Sequence, residues 1–282
     1  MEVVVAETAG FCMGVDMALN KLDSLLEKGQ QPIFILGPII HNPQVLEDYA
    51  KKGVITAESP GDIPAGAAAV IRAHGVPKEV ERDLEQRGVI LVDATCPRVK
   101  RAQLLIEKQT RAGRKLLLYG EESHPEVKGL LSYAHAGAFV FDSLEELNTF
   151  PFEPGEKYCL AAQTTQDRNN FTSIAKDLLS RLDERLTVLE TICDATKLRQ
   201  EEAVSIARKV DFMIVVGGYI SGNTRRLAQV VAAQDTPCLH VETSQELPLD
   251  NIKRYPTIGL TAGASTPKKL VEAIYQILST LS

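Results

Sequence analysis

Six short apolar runs punctuate the chain: "PIFILG", "AAAVIRAHG", "VILVDATC", "KLLLYG", "DFMIVVGG" and "PTIGLTAG". Each ends in glycine or small polar residues. Continuous short runs of this kind predict strands buried on both faces of mostly parallel sheets. Between them lie stretches such as "PQVLEDYAKKG" and "ERDLEQRG", with apolar residues at helical spacing. Strand alternating with helix predicts an α/β fold.

The pattern repeats. Cys12 precedes "MGVDMALNKL", Cys96 stands between "VILVDAT" and "PRVKRAQLLIEK", and Cys193 between "LTVLETI" and "DATKLRQEEAVSIARK". Each is a strand, a Thr-containing turn, a cysteine and an amphipathic helix. The distances Cys12 to Gly37, Cys96 to Gly120 and Cys193 to Gly217 are 25, 24 and 24 residues, and each glycine ends a strong strand. Four residues beyond each comes His41, His124 or Ser221. A later strand in each unit ends in "RAHGVP", "AAQTTQ" or "TAGASTP". These spacings predict three similar α/β units with mostly parallel sheets, 13–96, 97–192 and 193–282, joined by an N-terminal strand 1–12 and related by a pseudo-threefold axis. Ligands of open α/β sheets sit at the carboxyl ends of the strands. The three cysteines and the His41, His124 and Ser221 turns all fall there, which points to one central site.

Composition narrows the chemistry. With 44% hydrophobic and 24% charged residues the chain is ordinary for a globular protein. No apolar run approaches the ~20 residues of a membrane span, and the N-terminus has no secretory pattern. The expectation is a cytoplasmic protein. Five cysteines, an odd and thinly spread number, do not form a disulfide framework. The net charge is −6 and Lys and Arg form no long run, which disfavours nucleic acid as the partner. A bound anion must be held by local donors.

Cys159 in "KYCLAAQ" and Cys238 in "TPCLHVE" lie within strand patterns and read as small core hydrophobes. The three repeated cysteines do not. Converging thiolates at helix N-termini suggest a metal centre. Zinc with three Cys and one His is one candidate. A cubane iron–sulfur cluster, which takes one thiolate per iron and tolerates distant ligands, is another, and three ligands leave its fourth iron open. His41, His74 and His124, with Thr164, Ser221, Asn223 and Ser265, suit a small anion such as a diphosphate. Glu126 is either a proton relay or a surface residue in the first turn of a helix. Arg225 and Arg226 read as solvated helix residues.

"GFCMGV", "GPIIHNPQV", "RAHGV", "DATCPRV", "SHPEVKG", "QTTQ", "SGNTRRL" and "TAGASTP", in this order across the chain, resemble the 4-hydroxy-3-methylbut-2-enyl diphosphate reductase family of the non-mevalonate isoprenoid route. The resemblance implies a trefoil of three α/β domains around a 4Fe–4S cluster held by Cys12, Cys96 and Cys193, with one iron open. It implies diphosphate binding by His41, His74, His124, Ser221, Asn223 and Ser265, and catalytic roles for Glu126 and Thr164 beside His124. The implied reaction is reductive dehydroxylation to isopentenyl and dimethylallyl diphosphates, with electrons from a carrier such as ferredoxin or flavodoxin. Three positions depart from the family pattern: Met17 stands where Arg is usual, Ser123 where Gly is common, and Gly222 where a second Ser would donate a hydroxyl. The backbone N–H of Gly222 is the expected replacement for that hydroxyl. A zinc-dependent hydrolase and a non-catalytic iron–sulfur module are the competing expectations.

Overall fold

The computed structural model describes residues 1–30 and 32–281. β1 (Glu2–Val5) leads into α1 (Met13–Glu27). Then come β2 (Ile33–Leu36), α2 (Pro43–Lys51), β3 (Val54–Ala57), β4 (Ala68–Ile71), α3 (Lys78–Gln86) and β5 (Ile90–Asp93). The next stretch holds α4 (Pro97–Arg111), β6 (Lys115–Tyr119), α5 (Pro125–Leu131), β7 (Ala138–Phe141), α6 (Leu144–Thr149), β8 (Tyr158–Ala162), α7 (Arg168–Leu182) and β9 (Leu186–Val188). The last holds α8 (Asp194–Ala207), β10 (Phe212–Val216), α9 (Gly222–Ala232), β11 (Cys238–Val241), α10 (Leu249–Ile252), β12 (Thr257–Ala262) and α11 (Lys268–Ser279).

The strands form three four-stranded parallel sheets with one shared order: β3-β2-β4-β5, β7-β6-β8-β9 and β11-β10-β12-β1. The α/β class and the parallel sheets expected from the apolar runs are therefore present. In each sheet the last-named edge strand feeds one of the repeated cysteines. The third sheet is completed by the first strand of the chain, with Val3 opposite Ile258. The outer strands β3 and β7 escaped the pattern of apolar runs, because edge strands are buried on one side only and Ile55 of β3 is exposed.

Two compact bodies result. Met1–Asp16, Ile40–Asp48 and the chain from Asp194 carry the β11-β10-β12-β1 sheet. Met17–Ile39 and Tyr49–Cys193 carry the other two. In this second body β6 shows why the strands read as unbroken apolar runs. Successive side chains point to opposite faces of a strand. Leu116 and Leu118 pack with Ile106 of α4 and Val127 of α5, while Leu117 and Tyr119 pack with Phe171 and Ile174 of α7. With helices on both faces, the buried positions Leu116 to Tyr119 carry no charged residue. Cys159 of β8 is fully buried in the first of these layers, as expected for a core hydrophobe.

In the first body β10 and β12 are covered by α8, α9 and α11, through residues such as Ala203, Leu227 and Ile274. Gly259 packs closely against its neighbours. A Cβ there would lie 2.2 Å from Met213 Sδ and 2.6 Å from Ile206 Cγ2. Interiors at crystal-like packing density have no slack for an added methyl. Gly259→Ala is expected to destabilise the protein by about 1–3 kcal/mol, read as a lower urea midpoint at unchanged slope.

Candidate functional site

The three repeated cysteines share one local construction. The backbone N–H of Cys12 donates to Ala264 O at 3.1 Å, that of Cys96 to Ala73 O at 2.9 Å, and that of Cys193 to Thr164 O at 2.9 Å. Each acceptor lies in the loop just after the neighbouring strand: β12, β4 and β8. Each cysteine immediately precedes a helix, α1, α4 or α8. All three are half-buried and none is in a disulfide among the described residues. Burial pushes the Cys159 thiol up to about 12 and that of Cys238 up to about 11, so neither ionises near neutrality.

In the first body the residues expected to hold an anion gather around the N-terminus of α9. Ser221 caps that helix, its Oγ accepting the Thr224 N–H at 3.3 Å. Ser265 Oγ lies 3.3 Å from Ser221 Oγ and donates to His41 O at 3.3 Å. Asn223 Oδ1 accepts the Ala264 N–H at 3.0 Å, a bond that does not use the donor half of its amide. Gly222 is the first residue of α9, so its N–H belongs to the first-turn donors that have no partner within the helix. A Cβ at Gly218 would stand 2.8 Å from His41 O, so the glycine lets the two chains touch. Four neutral donor residues at one helix end suit an anion without a lysine-rich surface.

Arg199 of α8 had no role in the sequence reading. It is buried, and donates through Nη1 to Ala262 O at 2.5 Å and through Nη2 to Gly10 O at 2.9 Å. Its Nε has no hydrogen-bond partner among the described residues. Burial pushes its pKa down, while Cys12 and Glu202 oppose that shift. Arg199 thus ties the end of β12 to the loop before Cys12, where Gly10 has a φ of +116°. Nothing in a single sequence separates this cation from its exposed helix neighbours Lys197 and Glu201.

In the second body His124 caps α5, with Nδ1 accepting the Glu126 N–H at 3.1 Å. That bond fixes Nδ1 as an acceptor and leaves Nε2 as the donor of the neutral ring. The His74 ring meets the His124 ring edge to face, 5.4 Å between centroids. Glu126 is only 1% exposed, so it is not the surface residue of the alternative reading. Its Oε1 accepts the Thr164 N–H at 2.6 Å and its Oε2 the Thr164 hydroxyl at 3.0 Å. Burial pushes its carboxyl up to about 7, against the pull of both Thr164 bonds. Thr164 then joins Glu126 to Cys193, since its carbonyl accepts the Cys193 N–H. Cys96 is tied to the residue before His74. Of the sequence-selected residues, this body therefore brings together His124, Glu126, Thr164 and Cys193, with His74 and Cys96 on the adjoining loops. The arrangement can keep a proton on a carboxyl at neutral pH in a dry setting, one hydroxyl away from its surroundings.

Known proteins resemble this chain along its whole length. A relative from Oleidesulfovibrio alaskensis, named 4-hydroxy-3-methylbut-2-enyl diphosphate reductase, is 57% identical over 281 residues and covers both chains fully. One from Clostridioides difficile with the same name is 36% identical, again over the whole of both chains. The solved E-1-hydroxy-2-methyl-but-2-enyl-4-diphosphate reductase of Plasmodium falciparum superposes with a TM-score of 0.94 at 26% identity, over 99% of this chain and 88% of that one. A second solved structure, of (E)-4-hydroxy-3-methyl-but-2-enyl diphosphate reductase, gives a TM-score of 0.72 at 35% identity, over 99% of this chain and all of the other. The model of the LytB protein family matches residues 3–279, nearly the full length. The repeated cysteine turn, the capped anion loop and the buried carboxyl are thus set in a chain that belongs to the LytB family.

Proposed function

We propose that this protein reduces 4-hydroxy-3-methylbut-2-enyl diphosphate, replacing its allylic hydroxyl by hydrogen to give isopentenyl and dimethylallyl diphosphates. The balance is one substrate, two electrons and two protons in, and one product and one water out. The observation that carries the reading is Glu126: a buried carboxyl raised to about 7 and hydrogen-bonded twice to Thr164. Such a group serves a reaction in which a hydroxyl must leave as water.

The donor set fits an iron–sulfur cluster. Cys12, Cys96 and Cys193 are half-buried, unlike Cys159, and each immediately precedes a helix. We assign them as the ligands of a 4Fe–4S cluster. When bound, that group supplies single electrons and one open Lewis-acid iron. The rest falls to side chains. Ser221, Asn223, Ser265 and the Gly222 N–H hold the diphosphate with His41, His74 and His124, and so orient the allylic end. With Glu126 ionised, the Thr164 hydroxyl donates to Oε2; with Glu126 protonated, Oε2–H donates to Thr164 Oγ and frees the threonine proton for the leaving hydroxyl. Gly222 replaces a side-chain donor by a main-chain one, which preserves the charge pattern at the start of α9.

Glu126→Gln keeps the shape and both Thr164 contacts but cannot release a proton. Turnover with reduced methyl viologen is expected to fall by about 100-fold or more, with iron content unchanged; undiminished turnover removes Glu126 from the reaction.

The same residue shapes stability. A carboxyl whose pKa is raised on folding holds its proton better in the folded chain, so stability falls as pH rises from 4.5 through about 7. The loss amounts to about 3 kcal/mol at pH 8. In the cluster-free protein the stability gap between wild type and Glu126→Gln should therefore move in favour of the variant from pH 4.5 to 8, measured by urea unfolding.

Protein prepared without oxygen should be brown and contain about four irons and four sulfides per chain. Cys193→Ser is expected to strip or degrade the cluster and Cys159→Ser to leave it intact. A colourless zinc protein, or equal iron in both variants, contradicts the assignment.

A further inference from the structure

The second body carries a feature outside the residues assigned so far. A groove of about 580 Å³ runs between α1 and α4. Four cations line it: Lys21, Lys100, Arg101 and Lys108. The single carboxylate in the lining, Asp93, is paired with Lys100 at 2.9 Å, and its main-chain oxygen accepts from Lys21 at 2.5 Å. In a chain of net charge −6 this is a local reversal of sign. The centre of the groove is apolar: Leu104 is 59% exposed, beside Leu105 and Met17. Its end wall is made by Thr95 and Pro97, the two residues that flank Cys96.

We infer that this groove docks a small acidic one-electron carrier protein. The inference rests on the reductase reading, which needs an external reductant delivering one electron in each of two encounters per turnover. A cationic rim around an exposed leucine matches a partner with acidic residues around an apolar redox edge, and opposite fields speed such encounters. From Lys100 to Lys108 the cations spread over roughly 12 Å of helix at 1.5 Å per residue. One phosphate group cannot bridge that span, whereas an acidic protein surface can. The lining contains no aromatic residue on which nucleobases could stack. The position next to Cys96 brings the carrier to a cysteine assigned to the cluster. Met17, the departure from the family's usual arginine, widens the apolar centre.

The test uses the cluster-loaded protein and a reduced acidic flavodoxin. Arg101 and Lys108 are exposed, so Arg101→Glu/Lys108→Glu folds normally, checked by iron content and thermal midpoint. The double variant is expected to weaken flavodoxin binding at low salt by about 10-fold or more and to flatten the dependence of affinity on salt. The KM for flavodoxin should rise by a similar factor. Turnover with methyl viologen, itself a cation, and the KM for the diphosphate substrate should stay unchanged. Leu104→Ser should speed dissociation of the carrier.

The proposal is overturned by no flavodoxin binding at low salt, or by equal binding of wild type and double variant. It is equally overturned if Lys157→Glu/Lys176→Glu, elsewhere on the same body, weakens binding as much, or if micromolar inorganic diphosphate displaces the carrier from the groove. Absence of viologen turnover in the wild type would instead count against the reductase reading, and the binding contrast is read separately from it.

Discussion

The proposed chemistry of this chain hangs on one backbone hydrogen bond made three times. A cysteine N–H reaches across to a carbonyl in the loop after the neighbouring strand: Cys12 to Ala264, Cys96 to Ala73, Cys193 to Thr164. The bond fixes where the edge strand stops and the helix starts. It also sets each cysteine beside a loop that carries proposed site residues: Ser265 after Ala264, His74 after Ala73, and Thr164 itself. Because the sheets share one strand order, the same bond in each produces the same turn.

Against that frame the burial of Glu126 is costly, and the cost explains its use. An unpaired carboxylate in the interior is so unfavourable that the group shifts its pKa instead. Two bonds from Thr164 offset part of the penalty, leaving the carboxyl at about 7 rather than higher. A more exposed glutamate would be less raised, and one without the Thr164 bonds more so. The two threonine bonds therefore work against the desolvation of the acid. Arg199 poses the mirror problem: a buried cation stabilised by two carbonyls, one at Gly10 and one at Ala262. It stiffens the loop before Cys12 in a place where positive φ at Gly10 already limits the chain.

Much of this was legible before the structure. The six apolar runs became β2, β4, β5, β6, β10 and β12; all but the edge strand β5 are interior strands of their sheets, where alternation is lost because both faces are covered. Cys159 and Cys238 fell within strands as their contexts indicated. The motif residues His124, Glu126 and Thr164 met as the resemblance implied. Other parts were out of reach. β3 and β7 are edge strands whose exposed positions blur the signal. Glu126 could be either surface or core, since a first-turn glutamate is common at any helix start and its partner lies 38 residues away. Arg199 looked like one charge among several on α8, because burial depends on which face of the helix meets β12, and that is decided by packing rather than by local pattern.

The charge distribution has its own logic. A protein of net −6 that takes a diphosphate would repel its ligand if it relied on distance alone. Around α9 the answer is short-range: hydroxyls, an amide and first-turn N–H groups, which act only on an anion already in place and add no field outside. Around α4 the answer is the opposite, with lysine and arginine spread along an exposed face. A small ligand needs fixed geometry, because the position of its reacting carbon decides the outcome. A protein carrier needs a wide, forgiving surface, because it must arrive, deliver one electron and leave. Neutral donors at α9 would meet the first requirement and the cations along α4 the second, which on the proposed reading separates the two kinds of positive potential for reasons of kinetics as much as affinity.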